Sequence, residues 1–252
     1  MIIDAHVHLP VGEEFPSLQA KKERLLQELK KNHVNKCIVI SDSYMDSPIG
    51  TTEECVKLFE DCPEVSVVDG ISPFVEFSVQ LKKMRVYLEE KKIVGMKFFT
   101  GHEDFYLSDE RLRDVYDMAI QFQVPVLFHS GWDNPQYSDV GVVEAVLQEY
   151  PTLKMVCCHC FYPHIDKCIQ LMKYPNLYFD ISSVADDEGM LEQMKKQIMR
   201  LICLTPERVL FGSDAFGCNM EKHIAFVRGL HLPLDLQQKI FQENAKRLFI
   251  NE

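Results

Sequence analysis

Two histidines near the start of the chain have the spacing of metal ligands. Residues Met1 to His8 form an apolar, strand-like segment that ends in His6 and His8. Residues i and i+2 of a strand point to the same face, about 6.6 Å apart, so both imidazoles can reach one ion. An isolated His-x-His pair is as often a pair of partly exposed histidines in an edge strand. The positions of the other ligand-type residues decide between the two interpretations.

Further ligand-type residues stand where other predicted strands end. The fifth strand ends in His129, the sixth in His159 and the eighth in Asp214. In a parallel barrel the carboxyl ends of all strands share one mouth, so these side chains can meet His6 and His8 there.

The elements that must position these residues recur along the whole chain. Segments rich in β-branched and aromatic residues predict eight strands, at residues 2 to 8, 36 to 41, 65 to 71, 93 to 99, 125 to 129, 154 to 159, 177 to 181 and 208 to 212. Amphipathic patterns between them predict helices such as Ser17 to Asn32, Thr51 to Asp61, Ser108 to Phe122, Asp139 to Tyr150 and Asp186 to Leu204, and Asp235 to Phe249 closes the chain. Strands alternating with helices, in repeats of about thirty residues, indicate an α/β protein with a (β/α)8 TIM barrel.

A doubly wound nucleotide-binding sheet is the rival architecture. It is disfavoured because no glycine-rich phosphate loop follows the first strand. No linker, low-complexity tract or change of composition divides the chain, so we expect one barrel domain over residues 1–252.

The overall composition excludes several classes of partner. The chain is 46% hydrophobic and 26% charged with a net charge of −11, so nucleic acid is not expected to bind. No apolar run approaches the roughly 18 to 20 residues that cross a bilayer, and a strand from residue 2 leaves no room for a signal peptide. We expect a cytoplasmic protein that acts on a small molecule, with a homo-oligomer left open.

Cysteines offer a second candidate for metal binding. The chain has nine, an odd number, and several lie in apolar strand-like runs, so reduced core thiols are expected. Cys157, Cys158, His159 and Cys160 are consecutive, and adjacent strand residues face opposite ways. A structural zinc site there is therefore disfavoured as long as the strand is regular.

The ordered set of motifs resembles the amidohydrolase superfamily, specifically the amidohydrolase-2 branch, which also contains aromatic-acid decarboxylases. The matching pieces are Asp4-Ala-His6-Val-His8, Pro125-Val-Leu-Phe-His129, Cys158-His159, Gly212-Ser-Asp214 and Glu243-Asn-Ala-Lys-Arg-Leu-Phe249. The resemblance spans nearly the whole chain. It implies that His6, His8 and His129 hold a divalent ion, that Asp214 is a ligand or proton shuttle, and that His159 lies beside the metal-bound water.

The chemistry of this residue set agrees with the resemblance. Three imidazoles and a carboxylate suit Zn²⁺, with Mn²⁺ or Fe²⁺ as alternatives, and a bound water would have a pKa of about 7. Asp214 can take the proton of that water and return it to a leaving group, and His159 can hydrogen-bond an oxyanion or orient the nucleophile. The alternatives without function are a buried His159 satisfied by a backbone carbonyl and an Asp214 that caps a helix.

Lys97, on the fourth predicted strand, has two interpretations. Some amidohydrolases carboxylate a lysine at this place to bridge two metal ions, and His102, Glu103 and Asp104 could complete a second site. We favour one metal ion, with Lys97 binding an anionic group of the substrate. Phe99, Tyr106, Trp132 and Tyr162 could shape the pocket, and Trp132 is the aromatic residue that we assign to substrate contact; packing roles are equally compatible with each.

The leading hypothesis for the reaction is hydrolysis of a small, acidic ester, lactone or amide by metal-bound hydroxide. The alternative is non-oxidative decarboxylation of an aromatic or enoic acid, which needs a cation for the carboxylate. The strand-end loops contain no arginine, since Arg111 and Arg113 fall inside the fourth predicted helix. A non-catalytic metal-binding scaffold is a third hypothesis, disfavoured because His159 and Asp214 are both present.

Overall fold

Eight parallel strands surround one axis in the computed structural model, which describes residues 1–250. Each strand pairs with the next one in the chain, so the sheet runs from β1 to β8 without a crossover. The strands β1 to β8 span Ile3–Val7, Lys36–Ile40, Val65–Ile71, Met96–Phe98, Val126–Phe128, Met155–Cys157, Leu177–Asp180 and Val209–Leu210. The order of pairing is that of a barrel in which every crossover contains a helix.

Backbone hydrogen bonds between the last and the first strand close the barrel. The amide of Ala5 donates to the carbonyl of Phe211 (2.9 Å), and the amide of Asp214 donates to the carbonyl of His6 (2.8 Å). The prediction of a (β/α)8 TIM barrel is confirmed. No helix within residues 1–250 has the length and apolar character needed to cross a membrane.

The helices lie outside the strands. Helices α1 to α9 span Leu18–Lys31, Thr52–Phe59, Phe77–Glu89, Arg113–Phe122, Val140–Glu149, Asp166–Gln170, Leu191–Leu204, Met220–Arg228 and Leu234–Gln238. Of these, α1, α2, α5 and α8 begin at residues whose side chains cap the first turn. Ser17 accepts the Ala20 amide proton at the start of α1, and Thr51 forms a capping box with Glu54 at the start of α2. These caps satisfy amides that have no partner inside the helix.

Three predicted helices differ from the observed ones at their ends. Asp109 accepts the Arg111 amide proton (2.9 Å), which forms a 3₁₀ turn over Glu110–Leu112 and delays α4 to Arg113. Arg111 is therefore in that turn and not inside the fourth helix. The seventh helix begins at Leu191, and α9 is followed by wider π-helical turns at Lys239–Glu243 and Lys246–Ile250.

The buried side chains form two layers. The larger layer lies between the strands and the helices, where Val39 and Phe128 pack with helix residues such as Leu25. The smaller layer fills the barrel interior and is closed by the C-terminal segment. Its buried members are Ile3, Ala5, Ile38, Ile40, Val68, Leu127, Val156, Cys158, Leu210, Ala245, Leu248 and Phe249.

A β-bulge in β1 changes which residues of that strand face the interior. Ile3 and Ala5 belong to the interior layer, so regular alternation would also place Val7 there. Val7 instead packs in the helix-facing layer. The pairing of β1 with β2 gains one residue between Asp4 and Val7, and this extra residue reverses the alternation. His6 consequently faces the mouth of the barrel.

The prediction that the sixth strand continues to His159 is wrong. β6 ends at Cys157, and Cys158–Phe161 form a tight turn in which His159 and Cys160 have left-handed φ angles of 63° and 51°. The strand is therefore not regular where the adjacent cysteines stand. Cys158 is grouped with His6 and Asp180, and all nine cysteines are free thiols.

Candidate active site

The residues singled out in the sequence surround one cavity at the carboxyl ends of the strands. The cavity has a volume of about 230 Å³. Its lining includes every predicted site residue: His6, His8, Lys97, His129, Trp132, His159 and Asp214. Phe99 and His102 line it as well, whereas Asp104 is exposed outside it. Tyr106 is exposed and packs on Tyr137, and Tyr162 packs on Trp132.

Two histidine nitrogens converge on one carboxylate oxygen. The Nε2 atoms of His6 and His8 lie 3.5 Å and 3.3 Å from Oδ1 of Asp214. One atom from each of the three residues lies within 4.8 Å of the other two. His6 lies in β1, His8 directly follows it, and Asp214 lies in the loop after β8, which the closure of the barrel places beside β1.

The opposite nitrogen of each ring is held by a hydrogen-bond acceptor. Nδ1 of His6 lies 2.6 Å from Oδ2 of Asp180, and Nδ1 of His8 lies 3.0 Å from the carbonyl of Ile40. Both partners accept, so each Nδ1 carries the proton and donates it. In the neutral ring, Nε2 then presents a lone pair to the cavity. Burial lowers the pKa of His6, which keeps that ring neutral.

This arrangement leaves three acceptor atoms facing one another. Burial would raise the pKa of Asp214, but its contact with His8 and its proximity to the imidazoles of His6 and His159 outweigh burial and hold the pKa well below the usual value. A single proton on His8 could bridge to Asp214 but would leave Nε2 of His6 without a donor. A divalent cation would satisfy all three atoms, and anchored Nδ1 atoms are typical of histidines that bind metals. The residues present therefore fit a metal ion.

His129 lies on the same cavity but outside that three-atom group. Its buried Nε2 has no hydrogen-bond partner within the described part of the chain. Its ring centroid is 4.9 Å from that of His159 and 4.1 Å from that of His102, and its closest ligand-type group contains His102 and Asp133. Burial lowers the pKa of His129 well below the usual value, so the ring is neutral. An unpartnered neutral imidazole in a cavity is available to a ligand.

His159 is connected to Asp180 through a serine. The hydroxyl of Ser182 lies 2.8 Å from Nδ1 of His159 and 2.8 Å from Oδ2 of Asp180. Burial lowers the pKa of His159 to about 3, so the ring is neutral at physiological pH. An ionised carboxylate is the stronger acceptor, which directs the hydroxyl proton to Asp180. Nδ1 of His159 then donates to Ser182, and Nε2 faces the cavity as an acceptor.

Asp180 and Ser182 are functional candidates that the sequence analysis did not select. Burial would raise the pKa of Asp180, but His6 and His159 outweigh it and lower the pKa, so the group is ionised. A signal is present, because Asp180 is the penultimate residue of the seventh predicted strand. Unlike Asp214, it belongs to none of the motifs that carry the family resemblance, so its position alone does not single it out.

Left-handed backbone conformations are concentrated in the loops that carry these residues. Asp214, Ser183 and Phe161 have φ angles of 56°, 62° and 57°, in addition to His159 and Cys160. Such conformations cost about 1 to 3 kcal/mol each for residues other than glycine and cluster at functional sites. Ser183 also donates to Oδ2 of Asp214 (2.5 Å), which fixes the carboxylate in this strained loop.

Lys97 is a lysine inside the barrel without an acidic partner. It is 1% exposed, and its strand neighbour Leu127 belongs to the interior layer. Its Nζ lies 5.4 Å from the ring centroid of Phe99, and the described residues include no carboxylate within ion-pair distance of it. A buried ammonium is costly unless an anion compensates it. Lys97 is therefore suited to binding an anionic group in the cavity.

Trp132 forms one wall of the cavity. Its ring centroid lies 5.4 Å from that of His159 and 5.8 Å from that of His129, and 37% of the residue is exposed. An exposed face next to both histidines can pack against a flat apolar ligand.

Comparison with known proteins identifies similar sequences and folds. The amidohydrolase family model matches residues 3–250. An uncharacterised TIM-barrel protein from Bordetella bronchiseptica is 18% identical with a TM-score of 0.78, over 98% of this chain and 97% of that chain. A probable 2-pyrone-4,6-dicarboxylic acid hydrolase from Acinetobacter baumannii, with citric acid bound, is 14% identical with a TM-score of 0.76, over 98% of both chains.

A third solved structure contains a metal ion. This dihydroxybenzoic acid decarboxylase from Polaromonas, with manganese and the inhibitor 2-nitroresorcinol, is 13% identical with a TM-score of 0.73, over 99% of this chain and 96% of that chain. Similarity at these identities shows a shared fold. No curated protein sequence matches the chain significantly.

Proposed function

The chain belongs to the amidohydrolase family, whose members are enzymes, and on this premise we propose that it is a metal-dependent hydrolase of a small, acidic ester, lactone or amide. The observation that carries the proposal is the convergence of His6 and His8 Nε2 on Oδ1 of Asp214. A divalent cation would satisfy these three acceptor atoms, and the neighbouring His159 would supply a group for proton handling.

A single divalent cation would be held by His6, His8 and Asp214, with His129 as the expected fourth ligand. The nitrogen and oxygen donors suit Zn²⁺, Mn²⁺ or Fe²⁺. When bound, such an ion polarises a substrate carbonyl and lowers the pKa of a coordinated water to about 7.

Two residues of the chain would then handle protons. Asp214 is ionised and can accept a proton from the attacking water and return it to the leaving group. Nε2 of His159 accepts a hydrogen bond, because its Nδ1 donates to Ser182. An acceptor at this position can orient the attacking water by accepting a hydrogen bond from it. We therefore assign His159 to positioning the nucleophile.

The preference for an acidic substrate follows from the charges around the cavity. The carboxylates of Asp214 and Asp180 balance one divalent cation, and the histidines that burial keeps neutral add no charge. The ammonium of Lys97 remains uncompensated. A substrate carboxylate would neutralise it, while the exposed face of Trp132 would contact the substrate body.

Decarboxylation of an aromatic or enoic acid is the second candidate. The observation in its favour is that the buried Lys97 supplies the cation that the strand-end loops otherwise lack, with the aromatic ring of Phe99 beside it. Arg111 cannot serve, because it pairs with Asp109 in the turn before α4 (2.7 Å). The decarboxylase from Polaromonas has the same fold, which is compatible with either reaction.

Isotope-labelled water separates the two reactions. Metal-loaded protein is incubated in ¹⁸O-water with a panel of lactones, esters, amides and aromatic carboxylic acids, and products are analysed by mass spectrometry. Hydrolysis places ¹⁸O in the organic product. Release of CO₂ with no ¹⁸O in the organic product would instead establish the decarboxylase. If no compound of the panel is converted by either route, both proposals are rejected.

A further inference from the structure

A second, larger cavity continues outward from the candidate active site. Its volume is about 580 Å³, which is in the usual range of ligand pockets. It shares the lining residues His8, Phe99, His102 and Gly217 with the inner cavity. We call it the outer pocket. A substrate that reacts at the inner cavity would extend into it.

The outer pocket is mostly apolar. Leu9, Ile49, Phe99 and Phe216 contribute hydrophobic side chains to its wall, and Val11 is 44% exposed at its rim. Surfaces of this kind bind an apolar molecule through area removed from water. The outer pocket therefore fits the hydrophobic body of a substrate.

The charged residues of the outer pocket are acidic. Asp42 and Glu103 line it, and among the described residues its lining includes no lysine or arginine. The Asp42 carboxylate is already used, because it accepts from the Ser43 amide (2.6 Å) and the Ser47 hydroxyl (2.8 Å). The outer pocket thus carries negative charge, whereas Lys97 in the inner cavity is a cationic residue.

Glu103 has an unused oxygen. Its Oε2 accepts hydrogen bonds from the hydroxyls of Tyr44 (3.1 Å) and Ser72. Its Oε1 is buried and has no hydrogen-bond partner within residues 1–250. A buried acceptor without a partner costs about 1 to 3 kcal/mol, so a donor supplied by a ligand is favoured there.

We propose that the substrate carries a hydrogen-bond donor at its outer end, read by Glu103, and that the acidic wall excludes a second carboxylate. The inner end of this substrate rests on the function proposed above. The two cavities then select a molecule with an acid at one end, an apolar middle, and a hydroxyl or amine at the other. A dicarboxylate of the same size would place its second charge against Asp42 and Glu103, where like charges in a partly desolvated pocket repel.

Binding of matched benzoates to the metal-loaded protein tests the proposal. The probes are benzoate, 4-(hydroxymethyl)benzoate, 4-(aminomethyl)benzoate and benzene-1,4-dicarboxylate, titrated by ligand-observed NMR. We expect the hydroxymethyl and aminomethyl compounds to bind at least about tenfold more tightly than the dicarboxylate. Equal or tighter binding of the dicarboxylate would overturn the proposal.

Substitution of Glu103 assigns the effect to this residue. In Glu103→Gln the tenfold preference for the hydroxymethyl and aminomethyl compounds over the dicarboxylate should fall by at least about fivefold. The affinity for benzoate should stay the same. Asp104→Asn is the matched control, because Asp104 is the exposed neighbour outside the pocket, and it should keep the wild-type preference. An unchanged preference in Glu103→Gln would reject the role of Glu103.

Benzylamine separates this inference from the proposed function. It has no acid for Lys97, so its binding depends on the outer pocket alone and should weaken at least about fivefold in Glu103→Gln. If no benzoate binds but benzylamine behaves in this way, the acidic inner end is wrong and the outer pocket stands. If benzylamine binds both proteins equally, the outer-pocket proposal fails.

Discussion

At the scale of single residues, the candidate site depends on the group that accepts a hydrogen bond from Nδ1 of each histidine, the ring nitrogen that points away from the cavity. His6 and His8 each donate from Nδ1 to a fixed acceptor, so both rings are oriented before any ligand arrives. Oriented rings lose less freedom on binding, and their acceptor partners increase the basicity of the free nitrogen. His159 is held in the same way by the Ser182 hydroxyl, which donates its own proton to Asp180. Because His159 is not one of the three residues that converge on one point, its Nε2 remains available for proton handling.

We predict that His159→Asn separates proton handling from metal binding. The variant should keep most of its bound metal and lose about a hundredfold in kcat, the usual scale for an acid–base group. Elemental analysis and steady-state kinetics measure the two effects. His164→Asn, at an exposed position of the same loop, is the control and should retain both. A metal-free His159→Asn protein would mean that His159 is a ligand.

Lys97→Met tests the binding of a substrate acid. Methionine preserves the volume of the buried side chain but removes the charge, so KM for an acidic substrate should rise at least about tenfold. The rate for a neutral analogue should change little. Lys92→Met, at an exposed lysine paired with Glu90, is the control. Equal losses for acidic and neutral substrates would point to a structural role for Lys97.

The sequence could predict the residue types of the site but not their partners. His6, His8, His129 and Asp214 could be selected because each stands at a predicted strand end. Which nitrogen of each histidine faces the cavity depends on contacts such as that between His6 and Asp180, which are 174 residues apart. A contact over that distance has no local sequence signal.

At the scale of elements, the site depends on close approach between neighbouring strands. The bulge in β1 directs His6 toward the mouth, and Gly212 after β8 leaves space for it. A Cβ atom on Gly212 would lie 2.2 Å from Oδ1 of Asp180 and 3.0 Å from Cβ of His6. Glycine is therefore required here by packing and not by its backbone angles.

We expect Gly212→Ala to damage the metal site through packing. The added methyl group must displace Asp180 or His6, which should cost about 1 to 3 kcal/mol of unfolding free energy. Metal affinity should fall about 10- to 100-fold, because the partner of His6 moves. Gly141→Ala in α5 is the matched control, since nothing lies within 4 Å of its Cβ position, and it should be neutral or stabilising. Wild-type metal affinity in Gly212→Ala would contradict this account.

A buried carboxyl in β3 predicts a pH dependence of stability. Burial raises the pKa of Asp69 from 3.8 to about 7, although a hydrogen bond from Thr52 (2.5 Å) opposes the shift. Between pH 3.8 and about 7, Asp69 retains a proton in the folded state that it has lost in the unfolded state. The stabilisation is complete below about pH 4 and decreases as the pH rises to about 7.

Asp69→Asn should remove this component. From about pH 4 to 7 the wild type should lose about 2 to 4 kcal/mol more unfolding free energy than the variant, measured by urea denaturation. Asp46→Asn, at an exposed position, should follow the wild-type profile. Parallel profiles for wild type and Asp69→Asn would show that Asp69 does not contribute.

The order of elements could be predicted more accurately than their ends. Each strand lies where the apolar, β-branched segments stand, because that composition suits a sheet covered on both faces. The ends depend on individual contacts instead. Asp109 forms a 3₁₀ turn before α4, and β6 stops at Cys157 because the backbone is left-handed from His159 to Phe161. Side chains other than glycine at such angles give no signal in the sequence.

At the scale of the whole molecule, closure of the barrel brings together residues from the two ends of the described chain. Asp4 in β1 accepts hydrogen bonds from the amide (2.9 Å) and the hydroxyl (2.6 Å) of Ser213, 209 residues away. His8 donates its amide to Ala215 at the same seam. The repeat of strands and helices predicted the barrel, but not that its closing seam would also carry the proposed ligands.

Removal of metal should therefore affect the stability of the whole barrel. Ligand at about 100 times its Kd contributes about 2.7 kcal/mol, which corresponds to about 5 to 10 °C in Tm for a chain of this size. Treatment with EDTA should lower Tm by that amount, and one equivalent of Zn²⁺ or Mn²⁺ should restore it. The double variant His6→Ala/His8→Ala should have a low Tm that EDTA does not change. His33→Asn/His231→Asn, at exposed positions, should respond like the wild type.

The seam between β8 and β1 also sets an order of events during synthesis. A ribosome adds about 5 to 20 residues per second, so roughly 10 to 40 s separate the emergence of Asp4 from that of Ser213, 209 positions later. Throughout that interval His6 and His8 lack the carboxylate on which they converge. Until Asp214 emerges, a nascent chain cannot assemble the proposed ligand set, and truncated chains that end before β8 can never do so. Metal capture at this site would thus wait for β8, and the metal content of a preparation would count only barrels that have closed.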